Sequence, residues 1–318
     1  MNNLKPLKHH LCMSMVLCAV ILLAGCSSLP VTWEARVEGK NLPPEIKLNY
    51  KEQGSVGSGN NGEVVLLLHG FAESSYTWRY LEDDLAKTHR VINLDLKGFG
   101  DSPKPRDGRY SIYDQAVAVK HFIKQQKLKR ITLVGHSLGG GIALALTLMA
   151  ENEPWVVERL ILIDAAAYQQ NLPSMIRDLS TPIIGELGVY LIPARIQAKQ
   201  AYTFAFYNDK KIPKEGIEYS ARSFSKPGAR YVFLQSAKQL IPEDIEKISR
   251  QYTTIKQPSL IIWGYHDVVV PRRFARRLHN DLQHSDLRLI HHAGHMPHEE
   301  TPATVLRLIQ RFFAKEDN

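Results

Sequence analysis

The sequence predicts an α/β fold in which a mostly parallel sheet is covered by helices on both faces and interrupted late by a mainly helical insertion. Three observations carry this. Short aliphatic runs such as Val64–Leu68 and Leu160–Ile163 recur between longer helix-like stretches. These runs are continuous rather than alternating, as strands buried on both faces are. Between Tyr168 and about Glu246 the alternation stops, replaced by helix-like pieces, prolines and aromatics. With 318 residues, 44% hydrophobic and 23% charged, the chain can bury a large core, which excludes wholesale disorder.

In chain order the reading begins with a leader. Lys5 and Lys8 precede a largely apolar run of fifteen residues, Leu11 to Gly25. That is short for a membrane span, which needs about 20 residues, and suits a secretory signal peptide. The run ends Leu23-Ala24-Gly25-Cys26. All three cysteines (Cys12, Cys18 and Cys26) fall here, so the rest of the chain carries neither a disulfide nor a thiol nucleophile. Residues 1–25 are expected to be the leader, and 26–62 a tether with N-terminal edge strands. Glu45–Lys51 alternates and suits an edge strand, paired with Thr32–Val37; Gly54–Gly62 has the composition of a flexible loop.

The first half of the core is expected over 63–167. Val64–Leu68 is a strand, Ser75–Lys87 a helix, Arg90–Leu94 a strand and Ser111–Lys127 a long helix; the strands Ile131–Val134 and Leu160–Ile163 follow. The insertion occupies 168–246; its aromatics read mainly as core, with a minority lining a substrate pocket. The second half of the core, 247–318, holds strands at Leu260–Trp263 and Leu287–Ile290. Thr301-Pro302, an N-cap and N1 pair, opens a closing helix through about Ala314.

The formal net charge is +8. Basic residues bunch at Lys120, Lys124, Lys127, Lys129 and Arg130, and again at Arg272, Arg273, Arg276 and Arg277, which reads as solvated helix faces, an anionic envelope surface being the alternative. No zinc knuckle, RNA-binding signature or interleaving of aromatic and basic residues argues for nucleic acid. The histidines make no H-x-x-x-H pair on an expected helix and have no cysteine partner in the core, so no metal site is expected.

Chemistry concentrates at the ends of the expected strands. Ile131–Val134 runs into Gly135-His136-Ser137-Leu138-Gly139 and then a helix-like stretch. A G-x-S-x-G motif between strand and helix is the context of a nucleophile elbow, and Gly135 and Gly139 keep its tight turn clear of side chains. A serine nucleophile needs a base and a group that orients the base. Downstream, Trp263-Gly264-Tyr265-His266-Asp267 sets a carboxylate after one strand, and His291-His292-Ala293-Gly294-His295 sets an imidazole after the last. Asp164, ending Leu160–Asp164, is an alternative acid. Upstream, His69-Gly70-Phe71 follows Leu66–Leu68 and offers a main-chain donor for a developing oxyanion.

These motifs together resemble the α/β-hydrolase superfamily, in its capped branch of esterases, haloperoxidase-type enzymes and meta-cleavage hydrolases. The resemblance covers about Lys47 to Ala314. His69-Gly70-Phe71 is similar to the family's oxyanion loop and Asp95-Leu96-Lys97-Gly98-Phe99-Gly100-Asp101-Ser102 to its D-x-x-G-x-G-x-S turn. Trp263-Gly264 with Asp267 is similar to its acid loop, and Gly294 to Pro302 to its histidine loop. The resemblance implies Ser137 as nucleophile, His295 as base, Asp267 as acid, the Phe71 and Leu138 N–H groups as oxyanion donors, and no cofactor. His69 and His136 are expected to be hydrogen-bonded scaffold, and Asp95 and Asp101 to fix their turn. Epoxide hydrolases and haloalkane dehalogenases of the family carry aspartate at the elbow, where this chain has Ser137. Meta-cleavage hydrolases commonly carry Asn before the serine and an aromatic after the histidine, where this chain has His136 and Met296. The expectation is hydrolysis of carboxylic esters, thioesters or lactones, with a partly apolar small molecule as substrate. A carbon–carbon bond hydrolase and a non-catalytic, surface-tethered binding protein are the alternatives. Leu23–Cys26 resembles the lipobox of bacterial lipoproteins. That implies cleavage before Cys26, lipid on its thiol and attachment in the cell envelope, at the outer membrane where there is one; the oligomeric state is left open.

Overall fold

The computed structural model describes residues 46–55 and 62–316. The leader, Cys26, the expected strand over Thr32–Val37 and residues 56–61 of the Gly-rich loop lie outside the described residues. Glu45–Asn318 forms one compact unit, and the architecture below is that unit's.

Every β-branched run read from the described sequence is a strand. They are β1 (Tyr50–Gln53), β2 (Glu63–Leu68), β3 (Arg90–Leu94), β4 (Arg130–His136), β5 (Val156–Ile163), β6 (Ser259–Gly264) and β7 (Ser285–Ile290), in the order β1-β3-β2-β4-β5-β6-β7. β1 pairs antiparallel with β3, and all other pairs are parallel. From β2 the chain steps to one side to make β3 and to the other to make β4. The strand order therefore reverses between β2 and β4, where open α/β sheets form a crevice beyond their carboxyl ends.

Burial explains the continuous apolar runs. β2 and β6 are buried along their whole length, and one side of the sheet joins Val65, Leu67, Val134, Ile161 and Ile262 to Trp78 and Phe312 in a single core cluster. Each such side chain is worth about 1.5–3 kcal/mol when fully removed from water. Helices α1 (Ile112–Gln125) and α2 (Leu138–Met149) cross back between strands, and α1 opens on a capping box in which Ser111 and Asp114 exchange hydrogen bonds.

Between β5 and β6 lie the helices of the insertion: α3 (Ser174–Ser180), α4 (Ile184–Leu191), α5 (Ala194–Ala205), α6 (Lys214–Ser225) and α7 (Ala229–Lys238). α5 and α6 pack through Ala198, Tyr202, Ile217 and Ala221, and Met296 from the core joins that cluster. α8 (Arg273–Asp281) and α9 (Pro302–Glu316) complete the layers, α9 running two residues beyond the expected Ala314.

Two elements differ from expectation. Ser75–Lys87 is a 3₁₀ turn at Ser75–Trp78 and a single helical turn at Glu82–Leu85. Side chains compete for its backbone: Ser75 N–H donates to Asp95 Oδ1 at 2.7 Å, and Asn93 Nδ2 donates to Ser75 O at 2.9 Å. The edge strand begins at Tyr50 rather than Glu45, because Asn49 is already spent on the turn after β3. Its N–H donates to Ser102 Oγ and its amide to Asp95 Oδ2. The basic runs are in good part paired: Lys120 and Lys124 both meet Glu153, Arg130 meets Glu158 and Arg277 meets Glu246, as solvated faces do.

Candidate active site

The elbow is built by β4 and α2. Ser137 sits between them at φ 50° and ψ −113°, in a region that L-residues rarely occupy. The turn closes only because its neighbours lack side chains: a Cβ on Gly135 would lie 2.4 Å from Gly139 O, and one on Gly139 would lie 2.1 Å from Leu68 O. Leu138 is the first residue of α2, and the first N–H groups of a helix have no partner within it. Its N–H is therefore free to serve an anion beside Ser137. Phe71, the other expected donor, follows β2 and lines the same cavity as Ser137.

The acid and base loops follow β6 and β7. His295 Nδ1 bonds Asp267 Oδ2 at 2.8 Å. Asp267 Oδ1 accepts the Val269 and Val270 N–H groups at 2.7 and 2.9 Å, and Trp263 Nε1 donates to Val270 O at 2.9 Å. The indole thus closes the turn that aims the carboxylate. With Nδ1 committed to a carboxylate, Nε2 is the nitrogen His295 has for a reacting group. Asp164 is fully buried behind this pair and accepts from Gly264 N–H at 2.9 Å. Burial, reinforced by the Asp267 charge, pushes its carboxyl well above the ordinary range. Asp267, with a donor on each oxygen, is the group that meets His295.

A second buried cluster adjoins the first. His136 Nδ1 bonds the Glu73 carboxylate at 3.0 to 3.1 Å and its Nε2 bonds the His295 main-chain oxygen at 2.8 Å. Both partners can only accept, so both ring nitrogens carry protons and His136 is an imidazolium. Burial alone would lower its pKa; the Glu73 charge and hydrogen bond reverse that and raise it. Burial would likewise raise Glu73, but the His136 charge and hydrogen bond bring it down to about 2. Glu73 Oε2 also accepts Gly70 N–H at 2.9 Å. One carboxylate–imidazolium pair therefore joins the loop after β2 to the loop that carries His295. His69 is different. Its Nδ1 donates to Gly70 O and its Nε2 accepts Leu96 N–H, so it is neutral, as its burial-lowered pKa agrees.

Glu300 ties the histidine loop to the insertion, accepting from Gly294 N–H at 2.6 Å and Tyr207 N–H at 2.9 Å. His295 N–H in turn donates to Ala205 O, at the end of α5, at 2.7 Å. His136 fills the scaffold role read from the sequence. Glu73 and Glu300 were not read from it; the available signal for Glu73 was an acid three residues beyond Gly70 in a loop already tied to the site. Asp95 fixes its turn as expected, accepting from Ser75, Asp101 and Asn49.

Glu73, His136 and His298 bring ligand atoms within 4.8 Å of one another, as do Asp164, Asp267 and His295. In the first set His136 Nδ1 meets Glu73, its Nε2 meets the His295 main-chain oxygen and His298 Nε2 meets Thr77; in the second Asp267 holds His295. Ser137 and His295 share the wall of a cavity of about 1030 Å³ lined mostly by apolar side chains, Phe71, Phe204, Phe224 and Phe233 among them. Of the insertion's aromatics, Phe206 lies in the core cluster instead, and Tyr207 stacks on His266.

Residues 63–302 match the sequence profile of the α/β hydrolase fold family. An uncharacterised protein of Mycobacterium tuberculosis is 31% identical over 265 residues, covering 79% of this chain and 75% of its own. Among solved structures, an epoxide hydrolase without ligand superposes with a TM-score of 0.72 at 23% identity, covering 86% of this chain and 97% of its own. An esterase from Exiguobacterium antarcticum gives 0.70 at 24%, covering 84% and 95%. The two structures agree on the fold while their names differ in chemistry, so the reaction has to be argued from the site.

Proposed function

The chain belongs to the α/β hydrolase fold family, and from that premise we propose that it is a serine hydrolase cleaving carboxylic esters, thioesters or lactones through an acyl-enzyme on Ser137. The observation that carries this is the His295–Asp267 hydrogen bond of 2.8 Å beside a cavity whose wall also holds Ser137. In this reading Ser137 Oγ attacks the substrate carbonyl while His295 Nε2 takes its proton. Asp267 holds the tautomer with Nδ1–H and stabilises the imidazolium. The Phe71 and Leu138 N–H groups receive the oxyanion. His295 then protonates the leaving alcohol or thiol, and water repeats the sequence on the acyl-enzyme.

The apolar cavity supports a substrate with a hydrocarbon acyl or alcohol part. Cys26 supports an address: cleaved before this residue and acylated on it, the enzyme works in the bacterial envelope on a lipid tether, because two or more chains anchor stably where one is marginal. Hydrolysis of p-nitrophenyl esters of graded chain length by the wild type and by Ser137→Ala tests the reading. Ser137→Ala is expected to abolish turnover while the far-UV spectrum is unchanged; a folded Ser137→Ala chain with wild-type turnover contradicts it. Mass spectrometry of the mature N-terminus tests the anchor, with acylated Cys26 expected.

A further inference from the structure

Helix α4 is apolar on every side (Ile184-Gly-Glu-Leu-Gly-Val-Tyr-Leu191, with Glu186 its one charge), a pattern that ordinarily marks a helix enclosed in protein. It is enclosed on one side only. Gly185 and Val189 are buried against the rest of the insertion, and Gly185 sits where a Cβ would lie 2.1 Å from Leu179 O. On the opposite face Ile184, Leu187 and Leu191, at helical spacing, stand in solvent with Ile183 and Tyr190; Leu191 is 74% and Ile183 71% exposed. Ile183 is, besides, a β-branched residue at φ 68°. That conformation is strained, and burial of its own side chain does not offset the strain. The apolar surface continues inward, since Ile184, Ile192 and Ile196 are at once exposed and part of the cavity wall.

Two features say what covers this face. β1 runs antiparallel to β3, with Tyr50 opposite Leu94, so the chain enters the sheet at its carboxyl edge. That is the edge at which Ser137, the cavity and the insertion lie. The segment before it carries the apolar run Leu11–Gly25 and Cys26, and about 20 residues separate Cys26 from Ile46, a reach of at most about 70 Å. The described unit thus receives that segment at the edge that bears the insertion and α4. A second copy is a poorer occupant, because one eight-residue helix offers far less than the roughly 800 Å² per partner of a standard interface. Among the described residues no helix is long and apolar enough to cross a membrane. α4, about 12 Å long, can only lie along a membrane surface. Tyr190, its ring under the Arg230 guanidinium at 5.1 Å, supplies the mixed apolar and polar edge that interfaces favour.

We propose that the exposed face of α4, with Ile192 and Ile196, rests in the interfacial layer of a lipid membrane and presents the rim of the cavity to it. The test uses the full chain with Cys12, Cys18 and Cys26 changed to serine, so that the apolar run is the tether and a single introduced thiol takes the label. A bimane label is placed at Leu191→Cys or, at the amino edge of the sheet before β4, at Lys129→Cys. On vesicles of phosphatidylethanolamine and phosphatidylglycerol, the label at 191 is expected to shift to the blue. It is also expected to be quenched by nitroxide lipids and to lose aqueous iodide quenching several-fold, while the label at 129 changes little. Equal iodide access at both positions on vesicles overturns the proposal. So does a label at 191 that is already shielded without vesicles in a chain that sediments as a dimer, since a second copy then covers the face. The readout does not depend on the proposed chemistry: Ser137→Ala is expected to give the same depth profile.

Discussion

Two buried carboxylate–imidazole pairs sit side by side in this molecule, Asp267–His295 and Glu73–His136, with ring centroids of the two histidines 4.8 Å apart. Their contacts at Nδ1 are alike. What differs is the other nitrogen. His136 gives Nε2–H to the main-chain oxygen of His295 and is saturated, a cation locked between two acceptors. His295 gives Nδ1–H to Asp267 and lines a cavity whose wall also holds Ser137. The same pair of groups is a clamp in one setting and, in the proposed function, a proton relay in the other. The free lone pair decides which.

The comparison breaks most sharply at the relay. Asp267→Asn is expected to lower kcat by about 10⁴-fold with the fold intact, because an amide no longer selects the tautomer with Nδ1–H. Ester turnover and thermal melting, measured together, check this; a loss of stability in place of activity would make Asp267–His295 the second clamp.

Glu73→Gln should do the opposite. Removing one partner leaves the buried His136 cation uncompensated, at a cost of about 3 kcal/mol, the low end for such a change because Glu73 is 17% exposed at its side chain. Turnover is expected to fall far less than with Asp267→Asn. The pH dependence follows from the two shifts. Glu73 titrates at about 2 in the folded chain against 4.5 unfolded, so its contribution is complete above pH 4.5 and is lost as pH falls toward 2. His136 is raised above 6.5, so its contribution is complete below 6.5 and is lost as pH rises through the raised value. Urea denaturation of both chains from pH 3 to 9 is therefore expected to show the largest difference between about pH 4.5 and 6.5.

The smallest effect on activity is expected at Asp164→Asn, because burial pushes Asp164 toward its neutral form and Asn keeps both shape and neutrality. Its folded-state pKa lies above the unfolded 3.8, so the wild type loses stability as pH rises from there through the raised value. Asn removes that slope, and the stability of Asp164→Asn relative to wild type is expected to grow with pH. A kinetic loss at Asp164 exceeding that at Asp267 would transfer the orienting role to it.

Much of this was legible in the chain because the catalytic candidates are each tied to a strand end a few residues away. Ser137 follows β4, Asp267 β6 and His295 β7, and a continuous apolar run announces each strand. Glu73–His136 was not legible. Its partners are 63 positions apart, and nothing in local spacing says that a loop glutamate will lie under an elbow histidine. Ser75–Lys87 misled for a related reason: its helical pattern is real, but Asp95 and Asn93, distant in sequence, claim its first backbone groups. In α4 only Tyr190 was among the aromatics read as mainly core, and nothing in the sequence pointed to the bare face beside it.

The most direct measurement of the central claim is reaction of the folded chain with a fluorophosphonate, followed by peptide mass spectrometry. The account predicts a single phosphonylated serine, Ser137, with labelling lost in Ser137→Ala and strongly slowed in Asp267→Asn. An unlabelled Ser137 in the native chain, or labelling that survives Ser137→Ala, would contradict it.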